Sequence, residues 1–202
     1  MVWDGVSEPD ARLKPEIAAA GLTVFLDTNI IGDESEATVL LWRCRQEGWI
    51  RLQRTDVMET EHLKLPPNEE HKRGVASELA EVMTPCVFGH SRLDSSILGD
   101  IDDGEHIARA FKILHPRADW DATRRNNIRD AMIVAGCARY AGDFLTTRDT
   151  NMLKKGDLLH AAFGIRCATP EAVESEARRA IKTTLQGHSL TGRPKWVPAW
   201  TP

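Results

Sequence analysis

The sequence predicts an α/β protein, a three-layer α/β/α sandwich around a central parallel sheet of four to five strands. Short apolar, β-prone runs alternate with helix-patterned segments along the 202-residue chain, the signature of βαβ units. Two of these runs, "VFLD" at 24–27 and "FLTTRD" at 144–149, deliver an aspartate. Strands do this when their carboxyl ends open on the crevice of an open sheet. With 42% hydrophobic and 28% charged residues, the composition is that of a globular chain long enough to bury a core.

Residues 1–21 are polar, carry Pro9 and Pro15, and read as an N-terminal extension with one short helix. After the first strand, Asp33 is expected to cap a helix, with Glu36 at the capping-box position. That helix places Val39, Leu40 and Trp42 on one side and stops at Gly48, with Trp42 in the core. "WIRL" reads as the second strand. "TDVMETEHLKL" is a short helix closed by Pro66 and Pro67, Asn68 to Met83 a further helix interrupted by Gly74, and "CVFG" a third strand. In "DDGEHIARAFKILHP", Ile107, Phe111 and Leu114 recur at helical spacing before Pro116. Thr123 to Tyr140 carries the strongest helical pattern, "FLTT" and "IRCA" are the fourth and fifth strands, and Thr169 with Pro170 opens a final helix through Leu185. The domain is thus expected over 22–186, and 187–202, with three prolines, Trp196 and Trp200, as a tail that stacks on bases, docks on a partner or folds back.

No apolar run approaches the roughly 20 residues of a membrane helix, and the N-terminus lacks a signal peptide's apolar stretch. A cytoplasmic chain without a membrane partner is expected. Cys44, Cys86, Cys137 and Cys167 are scattered without C-x-x-C spacing, which favours buried free thiols over disulfides or zinc. The net charge of −4 argues against broad electrostatic binding of nucleic acid but allows a local basic rim.

Asp27 and Asp149 qualify for one sheet edge by position. Asp130 lies on the otherwise apolar face of its helix, beside Val134, Cys137 and Ala141, where its charge needs compensation by Arg124, Arg125, Arg129 or a cation. Glu59 and Glu61 are two residues apart and point to nearly opposite sides of a helix, so only one can face a site. Glu59 has capping-box spacing from Asp56, which leaves Glu61 as the preferred acid. Carboxylates converging without cations repel one another, and a divalent metal resolves that conflict. An all-oxygen donor set suits Mg²⁺ or Mn²⁺, and two such ions about 4 Å apart support phosphodiester hydrolysis.

"VFLDTNI", an acid in the helix after strand two, "RDAMIVAGCARYAGDFLTTRD" and "IRCATPEA" resemble the successive motifs of a PIN domain, over roughly Leu22 to Ala172. The resemblance implies a metal-dependent ribonuclease, often the toxin of a toxin-antitoxin pair, with RNA as substrate and an antitoxin-type protein inhibitor and a homodimer as further partners. Carried over by position, it implies metal-centre acids at Asp27, Glu61, Asp130 and Asp149. Asn29 and Thr147 would orient water or phosphate, although turn and strand-end capping explains them equally. Glu105 resembles an acidic position that some members bring near the pocket, while its capping-box spacing from Asp102 offers a local explanation. Arg124, Arg125, Arg129 and Arg148, with Lys154 and Lys155, form either a cationic rim for RNA phosphates or a solvated mixed-charge surface. A catalytically silent PIN-like module for RNA binding or assembly is the alternative. A phosphohydrolase with an Asp nucleophile is a weaker one, since it expects a second aspartate where Asn29 stands.

Overall fold

In a computed structural model, residues 21–58, 71–91 and 96–187 are described. They form β1 (Thr23–Leu26), α1 (Glu36–Gln46), β2 (Arg51–Thr55), α2 (His71–Ser77), β3 (Ala80–Val82), α3 (Ile101–Leu114), α4 (Arg125–Arg139), β4 (Phe144–Thr146), α5 (Thr150–Lys154), α6 (Gly156–Phe163), β5 (Arg166–Ala168) and α7 (Pro170–Gly187). The strands make one five-stranded, all-parallel sheet in the order β3-β2-β1-β4-β5. The fold is therefore α/β, with α1 packed on α7 in one helical layer and α3 on α4 and α6 in the other. No described helix is long and apolar enough to cross a membrane.

β1 and β4 are buried at every position because helices cover both faces of a parallel sheet. Phe25, Leu26, Leu41, Ile133 and Leu145 are fully buried at its centre. α4 lies close to the sheet because Gly136 has no side chain: a Cβ there would sit 2.7 Å from Thr84 Cγ2 and 3.2 Å from Thr55 Cγ2. α6 ends at Gly164, whose φ of +75° is the left-handed closure that glycine adopts without a steric penalty. All four cysteines are free; Cys44 and Cys137 are buried, Cys86 and Cys167 half-buried, and Trp42 packs half-buried against the core.

Several local expectations are corrected. Ser35, not Asp33, caps α1; its hydroxyl accepts from Thr38 N–H at 3.4 Å, and Asp33 instead accepts from Ser35 N–H at 2.9 Å. The third strand is Ala80–Val82, inside the segment read as helix, while "CVFG" forms a turn with Phe88 96% exposed. The capping box of α3 joins Asp100 and Asp103, not Asp102 and Glu105, with reciprocal bonds of 2.9 and 3.1 Å. α5 and α6 fill a stretch to which the pattern assigned no helix. The N-terminal extension, the C-terminal tail beyond 187 and the pair Glu59 and Glu61 lie outside the described residues.

Candidate active site

From β1 the chain runs outward to β2 and β3, then returns across to β4 and β5, so the order reverses between β1 and β4. Ligand crevices of open parallel sheets form at this reversal, outside the strands' carboxyl ends. Asp27 is the first residue beyond β1, and its N–H extends the ladder to Thr146 O at 2.9 Å. It is 6% exposed, and its charge is held by donors. Oδ1 accepts from Thr28 N–H at 2.8 Å, while Oδ2 accepts from the Asn29 amide at 2.7 Å and the Thr147 hydroxyl at 2.6 Å. That hydroxyl also accepts from the Asn29 amide at 3.2 Å and from Asp149 N–H at 2.9 Å. Asn29 Oδ1 accepts from Arg148 N–H at 3.1 Å. Asn29 and Thr147 thus join the ends of β1 and β4 through the Asp27 carboxylate.

Asp149 caps α5, its Oδ1 accepting from Asn151 N–H at 2.7 Å and Met152 N–H at 2.9 Å. The Asn151 amide donates to Leu114 O at 3.1 Å, which draws the end of α3 to the start of α5. His115 follows there. Its Nε2 lies 3.4 Å from Asp130 Oδ2 without hydrogen-bond geometry, and Asp149 is within electrostatic reach of the same ring. Burial pushes the His115 pKa down and the Asp149 charge only partly restores it, so at neutral pH the imidazole is uncharged. Behind Asp27, burial and then the negative charge of Asp27 push the Cys167 thiol up to about 12. Burial, then Cys167 and Asp27, raise Cys137 as well. Both thiols stay protonated, so neither offers a thiolate at this edge.

The structure thus joins Asp27, Asn29, Thr147 and the Asp149 backbone by hydrogen bonds, and places His115 near both Asp130 and Asp149. Among the described residues, no three His, Cys, Asp or Glu side chains approach closely enough to surround one ion. Glu105 is not part of this edge: it is exposed on α3 and lines a cleft with Arg109 and Leu158. Arg129 is not a rim residue, because α4 is buried between the sheet and α3. It is 5% exposed, and its Nε has no hydrogen-bond partner among the described residues. Arg124 and Arg125 are exposed at the start of α4, where no side chain caps the helix.

Sequence reading missed His115, whose place depends on how α3 packs on α4. It read Asp56 only as a helix cap, whereas the structure makes it a buried strand-end acid like Asp27. Asp56 Oδ1 accepts from Thr84 N–H at 2.9 Å and the Thr84 hydroxyl at 2.6 Å, and Oδ2 from the Ser96 hydroxyl at 2.8 Å, so it ties down the chain leaving β3.

The Arg148 guanidinium is already engaged. It donates to Asp33 Oδ2 at 3.0 and 2.8 Å, to Ser35 Oγ at 3.2 Å and to Glu171 Oε1 at 2.9 Å. Burial raises the Asp33 carboxyl, but hydrogen bonds from Ser35 N–H, Arg148 and the Ser35 and Thr38 hydroxyls together hold it below the usual range. Glu171 is held down first by Arg148. Both folded pKa values lie below the unfolded ones, so the unfolded chain binds more protons in that window. The stabilisation is complete above the ordinary carboxylate range and is lost as pH falls through the depressed values. Arg148→Gln should therefore lose less of its urea midpoint than the parent chain between neutral pH and about pH 3. Equal losses would show that Arg148 does not hold these acids down.

No protein-family model, curated protein or solved structure matches the chain.

Proposed function

We propose that the protein is a divalent-metal-dependent endoribonuclease that hydrolyses RNA phosphodiester bonds, with Asp27, Asp130 and Asp149 as its acidic centre and Glu61 as a fourth acid. The supporting observation is the hydrogen-bonded bridge from the Asp27 carboxylate through Asn29 and Thr147 to the Asp149 backbone N–H, which brings both strand-end acids to the point where the strand order reverses. The donor set fits Mg²⁺ or Mn²⁺. Its oxygens are hard ligands, and Mg²⁺ retains water and takes only one or two carboxylates together with substrate phosphate. That suits an edge where the described acids do not close around one point. One or two of Asp27, Asp130 and Asp149 would hold the ion, with water and substrate phosphate completing its shell. When bound, it would supply Lewis-acid polarisation of the phosphoryl group and a nucleophile at neutral pH.

The chain's own groups do the orienting. Asn29 and Thr147 fix the Asp27 carboxylate in one position, and the α5 backbone fixes Asp149. Arg124 and Arg125 offer exposed cations beside the uncapped start of α4, and an RNA phosphate is the anion that fits them. A toxin-type role extends the proposal to an antitoxin-type inhibitor and a homodimer; co-expression with the product of the gene immediately upstream should then abolish cleavage.

The purified chain should cut single-stranded RNA in Mn²⁺ and stop on addition of chelator. Asp130→Asn should lower the rate by more than about a hundredfold, the upper end for losing a group that only orients a ligand, with the urea midpoint little changed. Full activity in that variant would exclude Asp130 from the centre, and cleavage that persists in chelator would exclude the metal.

A further inference from the structure

Where α3 ends, an open cleft of about 700 Å³ is lined by Phe111, Lys112, His115, Pro116, Asp119 and Trp120. The Trp120 and Phe111 rings meet edge-on, centroids 5.0 Å apart at 71°, and Phe111 lies 5.6 Å from the His115 ring. Rings that brace one another form a fixed aromatic wall. Trp120 is half-buried, so part of the indole still faces solvent.

His115 belongs to two places at once. It lines this cleft, and its Nε2 stands 3.4 Å from Asp130 Oδ2 with no hydrogen-bond partner among the described residues. The cleft therefore adjoins the acidic edge, within reach of a nucleotide next to a phosphodiester placed at Asp130. The chemistry of the cleft is that of a nucleotide: an indole for the face of a base, the Lys112 ammonium for a phosphate, and the Asp119 carboxylate for a base N–H. Asp119 Oδ1 already accepts from Asp121 N–H at 3.2 Å, which fixes its direction.

We propose that the cleft walled by Trp120, Phe111 and His115 seats a nucleobase of single-stranded RNA next to the phosphodiester at the Asp130 edge, and so sets the base preference of cleavage. This rests on the ribonuclease reading above, and the test keeps the two apart. Binding of fluorescently labelled oligo(A), oligo(C), oligo(U) and an abasic ribose-phosphate oligomer to the full chain is measured in chelator, where cleavage plays no part.

At least one homopolymer should bind about tenfold or more tightly than the abasic oligomer. Trp120→Ala should erase that difference and Trp120→Phe should retain it. Asp119→Asn, an exposed change that does not threaten folding, should reorder the three homopolymers relative to the abasic oligomer. Base-dependent binding lost in Trp120→Ala, in a chain that cuts no RNA in Mn²⁺, would support the cleft and overturn the nuclease. RNA cleavage by a chain whose binding ignores the bases, or is the same in Trp120→Ala and parent, would overturn the cleft alone. Failure of every oligomer to bind also overturns it, and leaves a protein segment as the occupant to be sought.

Discussion

Asp27→Asn should reduce RNA cleavage in Mn²⁺ by about a thousandfold and destabilise the fold at the same time. The two effects have one origin. The carboxylate is 6% exposed and accepts from Thr28 N–H, Asn29 and Thr147. Asparagine keeps one acceptor oxygen and turns an N–H₂ toward donors. If the amide nitrogen takes the Oδ2 position, it confronts the Asn29 amide and forces the Thr147 hydroxyl to rotate. If it takes the Oδ1 position, it confronts Thr28 N–H. One charge-assisted bond is lost in either case, worth about 1.5–3 kcal/mol. The activity loss is larger because the charge that would hold a cation is removed outright. Thr147→Val gives the contrast: it keeps the charge and deletes one orienting donor, so a loss of about 10–100-fold is expected. Cleavage rates in the linear range and urea midpoints for both variants decide the matter. An Asp27→Asn chain with undiminished cleavage would remove the strand-end acid from the chemistry.

The largest effect on stability alone is expected at Asp56→Ala, about 3–5 kcal/mol. This side chain is 3% exposed and gathers three donors, Thr84 N–H, the Thr84 hydroxyl and the Ser96 hydroxyl. Thr84 is itself fully buried, and in the alanine variant it has no water to replace the lost acceptor. Unsatisfied buried donors cost about 1–3 kcal/mol each, and partial relaxation keeps the total below their sum. Asp56→Asn should cost only about 1 kcal/mol, since its oxygen still serves both Thr84 bonds and the Ser96 hydroxyl can turn to accept from the amide. Urea unfolding with equal m-values would show a large midpoint shift in the first variant and a small one in the second. Equal shifts would mean that the carboxylate is not what fastens β3 to β2.

The difference between Asp27 and Asp56 marks where sequence reasoning stops. Both are buried acids just past a strand, so pattern alone treats them alike; only the neighbouring chain separates them. Asp27 meets the end of β4, while Asp56 meets the residues leaving β3. The apolar runs of β1 and β4 were legible because the buried part of a parallel sheet is written in its side chains. β3 was not. Its Ala80 and Glu81 are exposed, and it is joined to β2 by backbone pairing that leaves little trace in composition. The apolar "CVFG" looked more strand-like and turned out to lie in a surface turn. Asp33, Asp102 and Glu105 were displaced from capping roles by Ser35, Asp100 and Asp103, a shift of two residues each time. Capping chemistry names the residue type well and the helix start poorly. The buried Arg129 could not be told from its exposed neighbours Arg124 and Arg125 by charge, because burial follows from tertiary packing that charge does not record.

The order of the strands also has a consequence in time. β4 pairs directly with β1, in the register Val24 to Phe144, Phe25 to Leu145 and Leu26 to Thr146, and the bond from Thr147 to Asp27 closes a separation of 120 residues. The β1–α1–β2 crossover unit can close early through short-range contacts, but β1 then has one edge empty and its aspartate has no Thr147 to meet. Long-range pairings of this kind are the slow step of folding, since loop entropy is lost before contacts repay it. A chain emerging from the ribosome therefore carries a naked strand edge and no assembled acids until β4 has cleared the exit tunnel.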